Sequence, residues 1–278
     1  MRLRLLELEF LDNPRMSLAV EEAIFRLMLL GKSPPTFWFW RHRNAVIIGK
    51  FQIAEEEINM EIANQYNVQI AKRDTGGGAV YQDLGNLIYS VIVPDYHGVS
   101  NDVVKMYELM INPVLLAFKK LGVKAESPGL NDVEINGKKV LGSAAGLREG
   151  GVLFHATMLI RSNLEMLAKV LKVPRTKLQD KGVTQVSHRV GNVYDLAGKD
   201  MDEVKRALLN GYSEYLNFEF YKDGLMSVST SLQSTYTIIS IIGLSGCLVG
   251  SSLGLRYRMN YLSDSKNPLP LAICSVFL

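Results

Sequence analysis

Short blocks of alternating polar and apolar residues run along most of the chain, separated by stretches with helical spacing. Leu3 to Phe10 alternates well enough to predict a first strand. Ser17 to Leu30 repeats its apolar residues at helical intervals, which predicts a helix capped by Ser17 and stopped by Gly31. The segment 36–50, TFWFWRHRNAVIIGK, reads as two strands around a polar turn at His42 to Asn44. Glu55 to Tyr66 predicts a helix, Val68 to Lys72 a strand, and the apolar run Leu87 to Val93 another strand. Val103 to Leu121 predicts a long helix that Pro113 should kink or divide. Asn136-Gly137 is a strong two-residue turn signal, so Asp132 to Ile135 and Lys139 to Gly146 read as a hairpin. Val152 to Ile160 reads as a further strand, and Leu164 to Leu171 and Met201 to Leu216 as helices. Strands come in adjacent pairs more often than in strict alternation with helices. The pattern predicts an α+β fold, a mixed, mostly antiparallel sheet with packed helices. No internal repeat is visible.

Composition narrows the function classes. The chain has 278 residues, 47% apolar and 21% charged, enough to bury a real core. A net charge of +3, with no long basic run, gives no reason to expect nucleic acid as a partner. The only cysteines, Cys247 and Cys274, lie near the C-terminus. That usage predicts a reduced, cytoplasmic protein without a disulfide framework, and it removes thiol chemistry from the first 246 residues. Glu7 and Glu9 interrupt the N-terminal apolar run, which therefore does not read as a signal peptide.

Candidate chemistry gathers in two segments. The first is 72–90, KRDTGGGAVYQDLGNLIYS. Gly76, Gly77 and Gly78 offer bare backbone donors and close approach, with Arg73 beside them as a permanent cation able to form two-point contacts to phosphate. A plain turn between strands accounts for the same glycines, and neither the Gly-Lys-Ser/Thr phosphate loop nor the spaced dinucleotide fingerprint is present. The second segment is 128–159, PGLNDVEINGKKVLGSAAGLREGGVLFHATML. Asp132 and Glu134 lie two apart and would face the same way on a strand, as Mg²⁺ ligands or simply as a solvated face. Lys138 and Lys139 would point to opposite faces, so one at most enters a pocket. Lys139 leads into the small-residue run Gly142 to Gly146, which leaves room for a ligand or another backbone. His155 is flanked by apolar residues and has no carboxylate partner nearby in sequence, so it reads first as a core histidine. His42, His97, His155 and His188 do not form a metal-ligand spacing.

Taken together, these blocks resemble the biotin/lipoate ligase catalytic-domain family, in its lipoate-protein ligase A branch of the short archaeal type. Four stretches carry the resemblance: 13–25, NPRMSLAVEEAIF; 40–52, WRHRNAVIIGKFQ; 73–86, RDTGGGAVYQDLGN; and 131–159, with a weaker fit over 178–193. The resemblance implies ATP- and Mg²⁺-dependent activation of lipoate to lipoyl-AMP, then transfer of the lipoyl group to a lysine of an acceptor domain. It implies the fold of that family over residues 1–225. Arg73 would meet the nucleotide phosphates, and the backbone of Gly76, Gly77, Gly78, Ala79, Val80 and Tyr81 would wrap the nucleotide. Lys139 would be the catalytic lysine, touching both the lipoyl carbonyl and the phosphate, and Asp132 a Mg²⁺ ligand. Lys139 and His155 are the candidate lipoate contacts, and Val46, Ile47, Ile48 and Leu18 candidates for an apolar tunnel. The implied acceptors are lipoyl domains of 2-oxo-acid dehydrogenase E2 subunits and the glycine cleavage H protein. A separate accessory polypeptide would stand in for the C-terminal domain of larger ligases.

Three departures from the family pattern stand out. Ile53 and Gln82 occupy positions where relatives often carry asparagine and histidine. More seriously, Ser227 to Leu255 contains no charged residue, so 226–278 is an atypical apolar tail. A tail of altered origin, such as a shifted reading frame, accounts for it better than a membrane anchor, because serine and glycine are frequent in it. Alternatives to a ligase are an octanoyl or lipoyl transferase of the same fold, which needs a cysteine the body lacks, and a catalytically silent module that binds lipoate or an acceptor. A biotin ligase would carry a Gly-Arg-Gly-Arg-type loop, which is absent.

Overall fold

The structure, a computed structural model, describes residues 1–95, 98–172 and 189–223, together with the backbone of two strands, Arg258–Leu262 and Leu271–Ser275. The untypical tail otherwise lies outside the described residues, as do His97 and His188. Two sheets form the body. The larger has seven strands: β1 (Arg2–Glu7), β2 (Thr36–Trp40), β6 (Asn86–Pro94), β7 (Asp132–Ile135), β8 (Lys138–Arg148), β9 (Gly151–Leu159) and β10 (Glu219–Lys222). Their order is β10-β1-β2-β6-β9-β8-β7. The β10-β1 and β1-β2 pairs are parallel and the rest antiparallel. The smaller sheet has β3 (Asn44–Ile48) between β4 (Gln69–Lys72) and β5 (Val80–Asp83). The expected mixed, mostly antiparallel α+β architecture is what forms. The strands β11 (Arg258–Leu262) and β12 (Leu271–Ser275) pair antiparallel with each other.

Strand alternation divides the large sheet into two buried faces. Phe37, Tyr89, Val91 and Phe154 point to one side, in a core shared with α4 (Val103–Lys120), the short α6 (Val193–Ala197) and α7 (Met201–Leu216). Trp38, Trp40, Ile88 and Leu153 point to the other, against α1 (Pro14–Leu29). Both faces are covered, which explains why β9 is buried along its whole length and is apolar apart from His155 and Thr157. The small sheet packs Val46, Ile48 and Tyr81 with α3 (Met60–Gln65) and α5 (Leu164–Val170).

Several elements differ from the sequence expectation for identifiable reasons. Helix α1 starts at Pro14 rather than after Ser17, because Asn13 caps it and accepts from Met16 N at 3.1 Å, with proline at the first helical position. The stretch 55–66 is two short helices, α2 (Ala54–Glu57) and α3. Between them Ile58 forms a β-bridge with Leu171, and Asn59 caps the second helix. Pro113 neither divides α4 nor ends it. The α4–α7 contact closes at Gly211, where a Cβ would stand 2.3 Å from the Pro113 carbonyl oxygen. The strands either side of His42 do not form a hairpin but part into different sheets. The Asn136-Gly137 turn forms as expected, with both residues at positive φ (52° and 71°). No helix among the described residues is long and apolar enough to cross a membrane.

Candidate active site

One ladder of residues runs straight across five strands of the large sheet. Asp132 pairs with Gly142, Gly142 with Thr157, Thr157 with Ile88, and Ile88 with Trp40. Residues paired directly across strands share a face, so this row forms a continuous floor on the α1 side. Four strand spacings make it about 19 Å long at ~4.8 Å each. All five residues line a cavity of about 530 Å³, roofed by the small sheet through Ile47 and the segment Gly77–Gln82. That volume suits a small-molecule ligand. The floor is charged at its Asp132 end and aromatic and aliphatic at its Trp40 end.

At the charged end, Lys139 Nζ lies 2.7 Å from Asp132 Oδ1. The contact is an ion pair without hydrogen-bond geometry, and that carboxylate oxygen is buried with no hydrogen-bond partner among the described residues. Gly142 makes the arrangement possible. A Cβ there would stand 2.9 Å from both Cε and Nζ of Lys139. Asp132 is held by its neighbour: Asn131 accepts at its carbonyl from Ser143 N (2.9 Å) and Ser143 Oγ (2.8 Å), and donates Nδ2 to Ser143 O (3.1 Å). A β-bulge between Val133 and Glu134 breaks the expected equivalence of the two acids, and only Asp132 lines the cavity. Lys139 lines it and Lys138 does not, as strand alternation requires.

The glycine loop forms the opposite wall. Gly77 sits at φ +92°, a conformation open to glycine, and packs so close to Gly49 that a Cβ on Gly49 would be 2.1 Å from the Gly77 carbonyl oxygen. Arg73 is buried and directed into its own loop. Its Nη2 donates to the carbonyls of Gly76 (2.7 Å) and Gly78 (2.8 Å), its Nη1 to Ile47 O (3.3 Å) and its Nε to Thr75 Oγ1 (3.0 Å). Burial pushes its pKa down to about 10, offset in part by Glu21, so it remains a cation at neutral pH. Gly77, Gly78, Ala79, Val80 and Tyr81 line the cavity, whereas Gly76 does not. Of the tunnel candidates, Ile47 and Leu18 line it, while Val46 and Ile48 face the core of the small sheet.

Two polar relays lie behind the walls. His155 does have a carboxylate partner, from a residue 134 positions away: its Nδ1 donates to Glu21 Oε2 at 3.0 Å. Its Nε2 meets Thr75 Oγ1 at 2.9 Å, and Ser90 Oγ donates to Glu21 Oε1 at 2.5 Å. Both ring nitrogens are therefore engaged, and His155 lines the cavity. The second relay is His42, whose Nδ1 donates to Gln82 Oε1 (2.7 Å) and whose Nε2 accepts from Ser17 Oγ (3.0 Å). Gln82 Nε2 in turn donates to Thr157 Oγ1 on the floor, at 3.0 Å. Burial lowers the His42 pKa to about 4 and keeps the ring neutral.

Sequence reasoning missed Glu21, Thr75 and Arg189, which also lines the cavity. A signal for Glu21 existed. Together with Ser17, Ile24 and Met28 it continues the buried stripe of α1 at helical spacing, a charge on the wrong face unless it has a partner. Arg189 carried no local signal. No cluster of three or more His, Cys, Asp or Glu side chains suited to a metal occurs among the described residues.

Comparison with known proteins agrees with this geometry. A model described as the lipoyl protein ligase A/B catalytic domain matches residues 13–213. Lipoate-protein ligase A subunit 1 of Thermoplasma acidophilum is 41% identical over 239 residues, covering 82% of this chain and 90% of that protein. Lipoate-protein ligase LplJ of Bacillus subtilis is 33% identical over 197 residues, covering 69% of this chain but only 58% of that longer protein. Among solved structures, a chain from the Thermoplasma acidophilum lipoylation system, described as a bi-partite lipoate protein ligase and its E2 lipoyl domain, aligns with a TM-score of 0.76. It is 39% identical, over 87% of this chain and 92% of that one. A lipoate-protein ligase A bound with ATP aligns with a TM-score of 0.75 at 36% identity, over 87% of this chain and 95% of that one. Family model, relatives and fold converge: this chain belongs to the lipoyl protein ligase A/B catalytic domain family.

Proposed function

We propose that the chain is the catalytic unit of an ATP-dependent lipoate–protein ligase that works through a lipoyl-adenylate. The observation that carries the reading is the ladder floor. It joins a lysine–aspartate pair facing a glycine loop at one end to an apolar slot of Leu18, Ile88 and Trp40 at the other. An acyl chain with a terminal carboxylate, activated by a nucleotide, fits that polarity along its length. In the first step a carboxylate oxygen attacks the α-phosphorus and the bond to pyrophosphate breaks. In the second, the ε-amine of an acceptor lysine attacks the acyl carbon, the bond to AMP breaks, and the amine loses a proton.

The first step brings anionic oxygens together and the second releases AMP as an anion, and Lys139 is the residue placed to offset that negative charge. It does so as a point charge and need not be a nucleophile. The cavity-facing backbone of Gly77 to Tyr81 would hold the nucleotide, and His155 would border the lipoyl chain. Arg73 acts in this reading chiefly by shaping the loop, since its donors already hold the loop carbonyls. Asp132 suits Mg²⁺, which typically binds one or two carboxylates plus substrate phosphates, and its buried Oδ1 has a coordination position to offer. Mg²⁺ would supply neutralisation of phosphate charge.

The acceptors would be lipoyl domains of 2-oxo-acid dehydrogenase E2 subunits and the glycine cleavage H protein, in the cytoplasm. A separate accessory subunit would complete the enzyme, in keeping with the bi-partite description of the Thermoplasma relative. No cysteine among the described residues lines the cavity, which disfavours a thioester-forming transferase. The test is pyrophosphate release from MgATP, with and without lipoate, for wild type and Lys139→Ala, each with and without an accessory subunit. Lipoate-dependent release that falls by about 10²–10³ in Lys139→Ala is expected. No release from folded wild-type protein under any of these conditions would overturn the ligase and leave a silent binding module.

A further inference from the structure

Among the described residues, four that carry a cationic side chain line the cavity: Arg73, Lys139, Lys172 and Arg189. Three already have partners. Arg73 donates to backbone carbonyls of its own loop, Lys139 pairs with Asp132, and Lys172 Nζ donates to Glu55 O at 2.9 Å. Arg189 differs: its Nε is buried and has no hydrogen-bond partner among the described residues. A buried donor left unpaired is costly, and more so on a charged group. Such a group persists where a ligand completes it.

The backbone holds Arg189 in place beside the chemistry. Its carbonyl accepts from Lys139 N at 2.9 Å, Gly191 N donates to Lys139 O at 3.0 Å, and Val190 bridges Lys139 in parallel. Gly191 permits this approach, because a Cβ there would stand 3.2 Å from Lys138 Cβ and 2.7 Å from Leu196 Cδ1. Asn192 then ties the segment to β9's exit, donating to Ser162 O (3.1 Å) and accepting from Ser162 N (2.8 Å). Arg189 is thus pinned to the main chain of the lysine that the ligase reading places at the reacting atoms.

We infer that Arg189 is a phosphate-binding residue of this site, taking the nucleotide's phosphates during adenylation. The inference rests on the ligase reading for its role and on the buried Nε without a hydrogen-bond partner among the described residues, on a side chain pinned at its backbone, for its ligand class. Lys139 and Asp132 sum to zero charge, so their pair leaves a polyphosphate without net compensation. A planar guanidinium matches phosphate oxygens with two parallel donors, which an ammonium does not. As the bond from the α-phosphorus to pyrophosphate breaks, the electron pair goes to the leaving oxygen, and Arg189 would stabilise that growing charge.

The test measures ATP and inorganic pyrophosphate binding by calorimetry for wild type, Arg189→Gln and Arg189→Lys, with thermal midpoints as the folding control. Pyrophosphate formation and the second half-reaction, from preformed lipoyl-adenylate, are measured beside it. Arg189→Gln should weaken ATP and pyrophosphate binding about ten- to hundred-fold, leave lipoate binding within about two-fold, and slow pyrophosphate formation more than transfer. Arg189→Lys should fall between, keeping the charge without the fork. Equal ATP and pyrophosphate binding by wild type and folded Arg189→Gln overturns the inference, as does wild type that binds neither. The two readings separate cleanly. Arg189-dependent ATP binding without lipoate-dependent turnover keeps the phosphate site and removes the ligase. Full ligase activity in Arg189→Gln does the reverse.

Discussion

Gly142 shows how a residue with no side chain fixes the position of one that matters. Lys139 lies across it with Cε and Nζ both 2.9 Å from where a Cβ would be. Gly142→Ala should therefore push the ammonium off Asp132 while leaving the strand intact. A misplacement of about 1 Å can cost 10²-fold in rate, so turnover should drop by about that factor with an unchanged circular dichroism spectrum. Wild-type kinetics from Gly142→Ala would show that the lysine's position is not critical. His42 makes a prediction about pH. Its folded pKa of about 4 lies below the unfolded 6.5, so on acidification the unfolded state takes up a proton first. Its contribution is full above about pH 6.5 and is lost as pH falls toward 4, amounting to about 2 kcal/mol at pH 5. Urea titrations at pH 7 and pH 5 should show that loss in the wild type and a smaller one in His42→Gln. Equal losses would place the acid sensitivity elsewhere.

At the scale of elements, the ends of helices are where the chain is most easily misread and most easily tested. Asn13 caps α1, and Asn13→Ala should cost about 1 kcal/mol, seen as a fall of roughly 2–4 °C in the melting temperature. No change would mean that packing on the large sheet alone defines the helix start. Elements with a strong period of their own were readable from sequence: α7 forms over Met201–Leu216 as its spacing predicts, and the β7–β8 hairpin turns at Asn136-Gly137. Elements made by distant partners were not. Ile58 leaves its helix for a bridge to Leu171, and β10 exists because β1 offers it an edge 217 positions away in register, Arg2 against Glu219. The site divides in the same way. Arg73, Gly77, Gly78, Asp132 and Lys139 sit in two local motifs that the sequence singles out, and all of them line the cavity. Glu21 and Arg189 join them only through tertiary contacts, with His155 and with the Lys139 main chain.

The whole molecule works as two sheets with a cavity between them. The large sheet supplies the floor and the lysine–aspartate pair, and the small sheet supplies the loop that closes over it. Neither sheet alone encloses a ligand, so binding should be felt across both. With ATP or lipoate bound, amide hydrogen exchange should slow in β5 and the glycine loop as well as in β8, and protection confined to one sheet would contradict a shared cavity.

The parallel pairing of β1 with β10 reaches further than the site. Met1 donates its terminal ammonium to Asn217 O at 2.7 Å, and the first strand keeps an open edge until residues 219–222 arrive beside it. A ribosome makes the two strands at opposite ends of the described body. During synthesis β1 must wait, exposed along one side, for a partner 217 positions later. Nascent chains stalled before residue 219 should consequently bind chaperones and be cleaved readily near their N-terminus, and those released beyond 222 should not.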